Sequence, residues 1–140
     1  MTATTETRSV IIEREMPHRP EKIWRALTQP HLIEEWLMRN DFRPVAGHRF
    51  TLKRDPSPEI SIVIDCEVLA VEANKTLSYT WTAYGTETVV SFILTETPTG
   101  TLLRMEQAGF RADQPQAFGG AKAGWRQFLN ELDALLARTD

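Results

Sequence analysis

Near its C-terminus the chain carries a long apolar stripe. Ala121, Trp125, Phe128, Leu129, Leu132, Leu135 and Leu136 recur at spacings of three and four. That spacing follows the helical period and places these side chains on one face. A helix with so wide an apolar face must bury it against another layer. The preceding sequence supplies one kind of partner. Phe50 and Leu52 alternate with polar residues, as do Ile60, Ile62, Ile64, Cys66 and Val68. The same holds for Leu77, Tyr79 and Trp81, for Val90, Phe92 and Leu94, and for Leu103, Met105 and Gln107. A period of two is that of half-buried strands. Turn residues part the runs: Asp55-Pro56-Ser57-Pro58, Glu72-Ala73-Asn74-Lys75, Gly85 and Pro98-Thr99-Gly100. Short strands so spaced argue an antiparallel meander.

Ahead of the meander, Val10 and Ile12 mark a short strand that Pro17 ends. Residues 20–27 predict a short helix, with Pro20 in its first turn and Ile23, Trp24 and Leu27 on one face. Pro30 opens a second, with Leu32, Ile33, Trp36 and Leu37 on its apolar side. Residues 39–45 and 111–120 read as loops, and the last helix as starting at Ala121. The expected organisation is a disordered tail over residues 1–8 and one domain over residues 9–137.

The expected class is therefore α+β. A curved antiparallel sheet wraps around the C-terminal helix, and the two short helices close one end. Where the sheet bends away from the helix, packing leaves an apolar cavity. At 140 residues, one sizeable core can form. A net charge of −3 gives no electrostatic reason to expect nucleic acid as a partner. Cys66 is the one cysteine, so neither an internal disulfide nor a cysteine metal cluster can form. No apolar run approaches the length of a membrane span, and residues 1–9 lack the pattern of a signal peptide. A cytoplasmic monomer or homodimer without membrane insertion is expected.

Several segments together resemble a known family. They are PEKIWRAL from Pro20, PHLIEEWL from Pro30, VAGHRF from Val45, CEVLAVE from Cys66, LSYTW from Leu77, and QAGF from Gln107 followed by Gly124-Trp125. The chain resembles, over residues 9–136, the bacterial proteins named for the activator of heat shock protein 90 ATPase. These belong to the START-like, or SRPBCC, superfamily that includes the birch-pollen allergens. The resemblance implies the helix-grip fold and a ligand-sized internal cavity. It does not imply co-chaperone activity, because the eukaryotic activators carry an additional N-terminal domain for the chaperone.

A small hydrophobic molecule is the expected partner, with Phe50, Ile64, Cys66, Tyr79, Trp81, Phe92, Met105, Gln107, Trp125 and Leu129 as the lining. Tyr79 and Trp81 share a strand face and carry polar tips on large rings. Gln107 is a polar amide on an apolar strand face, where an unmet hydrogen bond costs about 1–3 kcal/mol. It must orient a ligand or bond its neighbours. Cys66 reads as inert core. His18, His31 and His48 match no metal-binding spacing, so no metal or other cofactor is expected. Asp65 with Glu67, and Glu34 with Glu35, read as solvated surface. Gly119, Gly120 and Gly124 suggest flexibility at the cavity entrance or close packing.

Two further functional readings stand beside binding. One is an enzyme of cyclase, dehydratase or hydrolase type on an aromatic or polyketide-like substrate, with Tyr79 as acid and Gln107 as orienter. Against it, the expected cavity offers no base, and the sequence contains no P-loop, G-x-S-x-G or G-x-G-x-x-G motif. The other is an interaction module with a chaperone contact.

Overall fold

The structure is a computed structural model that describes residues 7–139. Its elements run β1 (Thr7–Met16), α1 (Pro20–Thr28), α2 (Pro30–Trp36), β2 (Arg39–Asn40), β3 (Arg49–Ser57), β4 (Ile60–Glu72), β5 (Thr76–Ala83), β6 (Thr86–Thr97), β7 (Gly100–Arg111) and α3 (Pro115–Arg138). The strands form one antiparallel sheet in the order β1-β7-β6-β5-β4-β3-β2. This is the expected curved sheet around a C-terminal helix.

Alternation gives the sheet one inner face. Phe50, Leu52, Ile64, Cys66, Val68, Leu77, Tyr79, Val90, Phe92, Leu103 and Met105 are all buried there. The stripe of α3 covers them, with Trp125, Leu129, Leu132, Leu135 and Leu136 each at most 1% exposed. The two short helices meet at Gln29. Its N–H donates to the Arg25 carbonyl at the end of α1, and its own carbonyl accepts from Leu32 and Ile33 at the start of α2. The Trp36 indole donates to the Ala26 carbonyl at 2.8 Å, which satisfies its buried N–H and locks the elbow.

Three register shifts mark the sheet, one of them between Arg54 and Ser57 in β3. Ser9 pairs with Ala108 and Arg8 with Phe110, so Gly109 is an extra residue in β7. Its φ of +108° suits glycine. The bulge breaks the alternation, so Phe110 follows Gln107 onto the inner face. A second register shift, between Val68 and Ala70, leaves Leu69 and Ala70 both on the outer face and sets Val71 opposite the buried Leu77.

Four boundaries differ from the expectation. Thr7 and Arg8, assigned to the tail, already belong to β1; residues 1–6 lie outside the described residues. The first part of the 39–45 loop is the short strand β2, paired with Leu52 and Lys53. Asp55, Pro56 and Ser57 continue β3 instead of turning. Beyond Lys53 no β2 residue pairs with β3, so Pro56 costs the ladder nothing on that side. The α3 helix begins at Pro115, so only residues 112–114 separate it from β7.

Candidate functional site

A cavity of about 390 Å³ opens between one end of the sheet and the first half of α3. Strand β4 contributes Ile62 and Ile64, and β5 contributes Trp81 and Ala83. Strand β6 adds Thr86 and Thr88, and β7 adds Gln107 and the bulge-directed Phe110. The helix closes the space with Ala117, Gly120, Ala121, Gly124, Trp125 and Phe128. At the rim stand Arg54, Gln116 and Tyr84. Tyr84 sits with Gly85 in the two-residue turn of the β5–β6 hairpin, both at positive φ, and is 82% exposed.

Aromatic rings form much of the wall. Trp125 lies 5.3 Å from Trp81, 5.5 Å from Phe128 and 5.8 Å from Phe92, measured between ring centroids. A chain of hydrogen bonds crosses the floor. The Trp125 indole N–H donates to Gln107 Oε1 at 2.7 Å, and Gln107 Nε2 donates to Thr88 Oγ1 at 2.9 Å. The Thr88 hydroxyl donates to the Trp81 carbonyl at 3.0 Å. Gln107 and Thr88 are buried, so these bonds remove the penalty of unmet polar groups. Of the two expectations for Gln107, the bonds to its neighbours are seen, and the residue also lies on the cavity lining.

Of the expected lining, Ile64, Trp81, Gln107 and Trp125 meet at this cavity. Phe50, Cys66, Tyr79, Phe92, Met105 and Leu129 stand off it, in close-packed core. The reason is Phe42, from the segment after β2. Its ring lies 5.1 Å from Phe50 and 6.2 Å from Tyr79, and Tyr79 stacks on towards Phe92 at 6.0 Å. These rings, with Trp36 against Phe92, fill the middle of the grip. The open space is displaced to the Arg54–Ala83–Phe110 end.

Burial separates Tyr79 from acid–base work. Desolvation, and then the nearby Cys66, raise the Tyr79 pKa well above the ordinary tyrosine value. The Cys66 thiol is itself pushed up to about 12, first by burial and then by Asp65 and Asp41. Tyr79 is thus neither at the cavity nor poised to give up a proton. Among the described residues no three His, Cys, Asp or Glu side chains gather as a metal site. His48 Nε2 lies 3.0 Å from the Asp41 carbonyl, off the cavity. Gly119, Gly120 and Gly124 belong to α3 and not to a loop, and no neighbouring atom lies closer than 4.0 Å to where their Cβ atoms would be.

Arg54, Phe110 and the first turn of α3 had not been expected at the site. For Arg54 the signal was in the sequence: it continues the Phe50–Leu52 alternation onto the inner face. Phe110 could not be placed without seeing the bulge at Gly109.

A curved sheet gripping a C-terminal helix, with an apolar cavity between them, defines the helix-grip class of START-like proteins. Within that class the chain belongs to the family described as Activator of Hsp90 ATPase homolog 1-like protein, whose model matches residues 17–137. The crystal structure of protein MLL2253 from Mesorhizobium loti is similar at 60% identity, with a TM-score of 0.89 over 95% of this chain and 99% of that one. CalU16 from Micromonospora echinospora is 24% identical, with a TM-score of 0.79 over 94% of this chain and 78% of that one. DynU16, from the dynemicin biosynthetic locus, is 23% identical, with a TM-score of 0.81 over 93% of this chain and 47% of that one. At those last two identities the likeness is one of fold. A comparison with curated proteins finds no match. Among the described residues no helix is long and apolar enough to cross a membrane.

Proposed function

We propose that this protein binds a small, largely apolar molecule in the cavity between the sheet and α3. The observation that carries this reading is the wall itself. Its volume of about 390 Å³ falls in the range of ligand sites, roughly 300–1,000 Å³. Trp81, Trp125, Phe110 and Phe128 offer broad apolar area, and the buried polar groups of the floor are already bonded to one another. Such a site rewards apolar contact. The enzymatic reading loses its proposed acid, because Tyr79 lies off the cavity. Among the described residues, Arg54 and Tyr84 are the ionisable side chains on the lining.

The test is a melting-temperature screen against lipids and aromatic compounds, with native and denatured masses compared in parallel. A ligand that binds the folded state raises the melting temperature by mass action, with the logarithm of its concentration once that exceeds Kd. Gly120→Leu is the control, because a side chain there enters open space on the cavity wall. The expected result is a shift in the natural chain that Gly120→Leu abolishes while its own fold is kept. No shift with any compound, and no extra mass in the native protein, would sink the proposal.

A further inference from the structure

Two arginines stand on the side of the sheet that faces α3, and they are treated differently: Arg14 is half-buried and Arg54 is exposed at the cavity rim. Arg14, on β1, meets a carboxylate: its Nη1 lies 2.8 Å from Asp133 of α3. Arg54, on β3, has no hydrogen-bond or ion-pair partner among the described residues. It follows Phe50 and Leu52 on the inner face and pairs across the ladder with Ile62, a residue of the cavity wall. Asp55, next along the strand, is held by Arg39. Among the described residues no acidic side chain lines the cavity, and Arg54 is its one charged group. The first turn of α3 lies at the same rim, with no acidic residue in it and no side chain capping it. The positive end of that helix dipole therefore adds to the arginine.

We propose that the ligand is an amphiphilic anion. Its apolar body lies against Trp81, Trp125 and Phe128, and its carboxylate or other oxyanion pairs with Arg54 at the rim. This rests on the binding function proposed above and names the class of molecule that site takes. The chemistry is complementary in both halves. The inner wall offers apolar area, with Gln107, Thr88 and the Trp125 indole already bonded to one another, and the rim offers a fork of N–H donors suited to an oxyanion. A cation at the rim would face Arg54 with no carboxylate to offset the repulsion. A neutral apolar molecule would leave the arginine as it is.

Three ligands with one tail separate these cases: decanoate, decan-1-ol and decyltrimethylammonium, each below its micelle concentration. Affinities are measured by calorimetry for the natural chain, Arg54→Met and Arg54→Lys. Decanoate should bind the natural chain roughly three- to tenfold more tightly than decanol, and the ammonium most weakly. Arg54→Met should remove that preference, read as the ratio of decanoate to decanol affinity within the variant itself; Arg54→Lys should keep part of it. Melting temperatures of the variants, read without ligand, show that each is folded. Decanol binding as tightly as decanoate overturns the anion proposal and leaves the cavity function standing. A decanoate preference that survives in Arg54→Met overturns the role of Arg54. Failure of all three tails to bind overturns both proposals together.

Discussion

The bonds linking Trp125, Gln107 and Thr88 make three residues act as one. Each partner is buried, so removing any one strands another. Gln107→Leu leaves the Trp125 N–H without its acceptor and should cost about 1–3 kcal/mol in urea denaturation. Trp125→Phe strands the Gln107 oxygen and loses apolar contact as well. The double variant should be less destabilised than the sum of the two, by about 0.5 kcal/mol or more, because the second change strands nothing new. A sum that is simply additive would show that the bond contributes little. Cys66 and Tyr79 make a different statement, in pH. The folded state holds the thiol up to about 12 against an ordinary 9.0, and holds the phenol well above 10.0. Unfolding lets both ionise at their ordinary values, so above about pH 9 the unfolded chain binds fewer protons. Stability is thus complete below that pH and is lost as pH rises towards the folded values. Urea midpoints at about pH 8 and about pH 10.5 should show the loss, and Cys66→Ala combined with Tyr79→Phe should flatten it.

At the scale of elements, α3 combines two unlike halves. Its second half is anchored by Leu129, Leu132, Leu135 and Leu136. Its first half holds Gly119, Gly120 and Gly124, each of which weakens a helix by roughly 0.5–1 kcal/mol relative to alanine. Gly119 is exposed and its Cβ would meet open space, so Gly119→Ala should raise stability by about that amount, read as a higher urea midpoint. The same glycines explain what the sequence hid. Residues 111–120 read as a loop because paired glycines and an N-cap, Gln114, outside the usual capping residues outweigh Pro115, the same first-turn proline that opens α1 and α2. The alternating runs and the leucine stripe were plain, because burial on one face leaves a periodic record. Pro56 masked the end of β3, and with it Arg54, because proline signals a turn unless one knows that no strand pairs with its far side. The packed position of Tyr79 was not legible either. It depends on Phe42 reaching in from a segment with no periodicity of its own.

For the molecule as a whole, the first helix and the end of the last are tied at Lys22. Its ammonium donates to the carbonyls of Leu136 at 2.8 Å and Thr139 at 2.7 Å, joining α1 to the last turn of α3. It supplies the positive charge that a helix C-terminus favours. His18 lies beside it, with Nδ1 3.4 Å from the ammonium. Partial burial, and then Lys22, lower the His18 pKa below its ordinary 6.5. The folded state therefore resists protonating His18, and stability should fall as pH drops from about 6.5 through the folded value. Lys22→Met should cost about 1–2 kcal/mol, measured by urea denaturation. It should also move the His18 pKa upward in a nuclear magnetic resonance titration. An unchanged His18 pKa would show that burial alone holds it down.

The uneven build of α3 bears on rates as well as on stability. The wall of the cavity is its glycine-bearing stretch, and the leucines that hold the core together lie beyond Trp125. Opening the first stretch leaves the second in place, so a passage forms by fraying of one helix end and not by unfolding of the domain. On the binding function proposed above, exchange of an occupant is then governed by local breathing and proceeds while the melting temperature stays high.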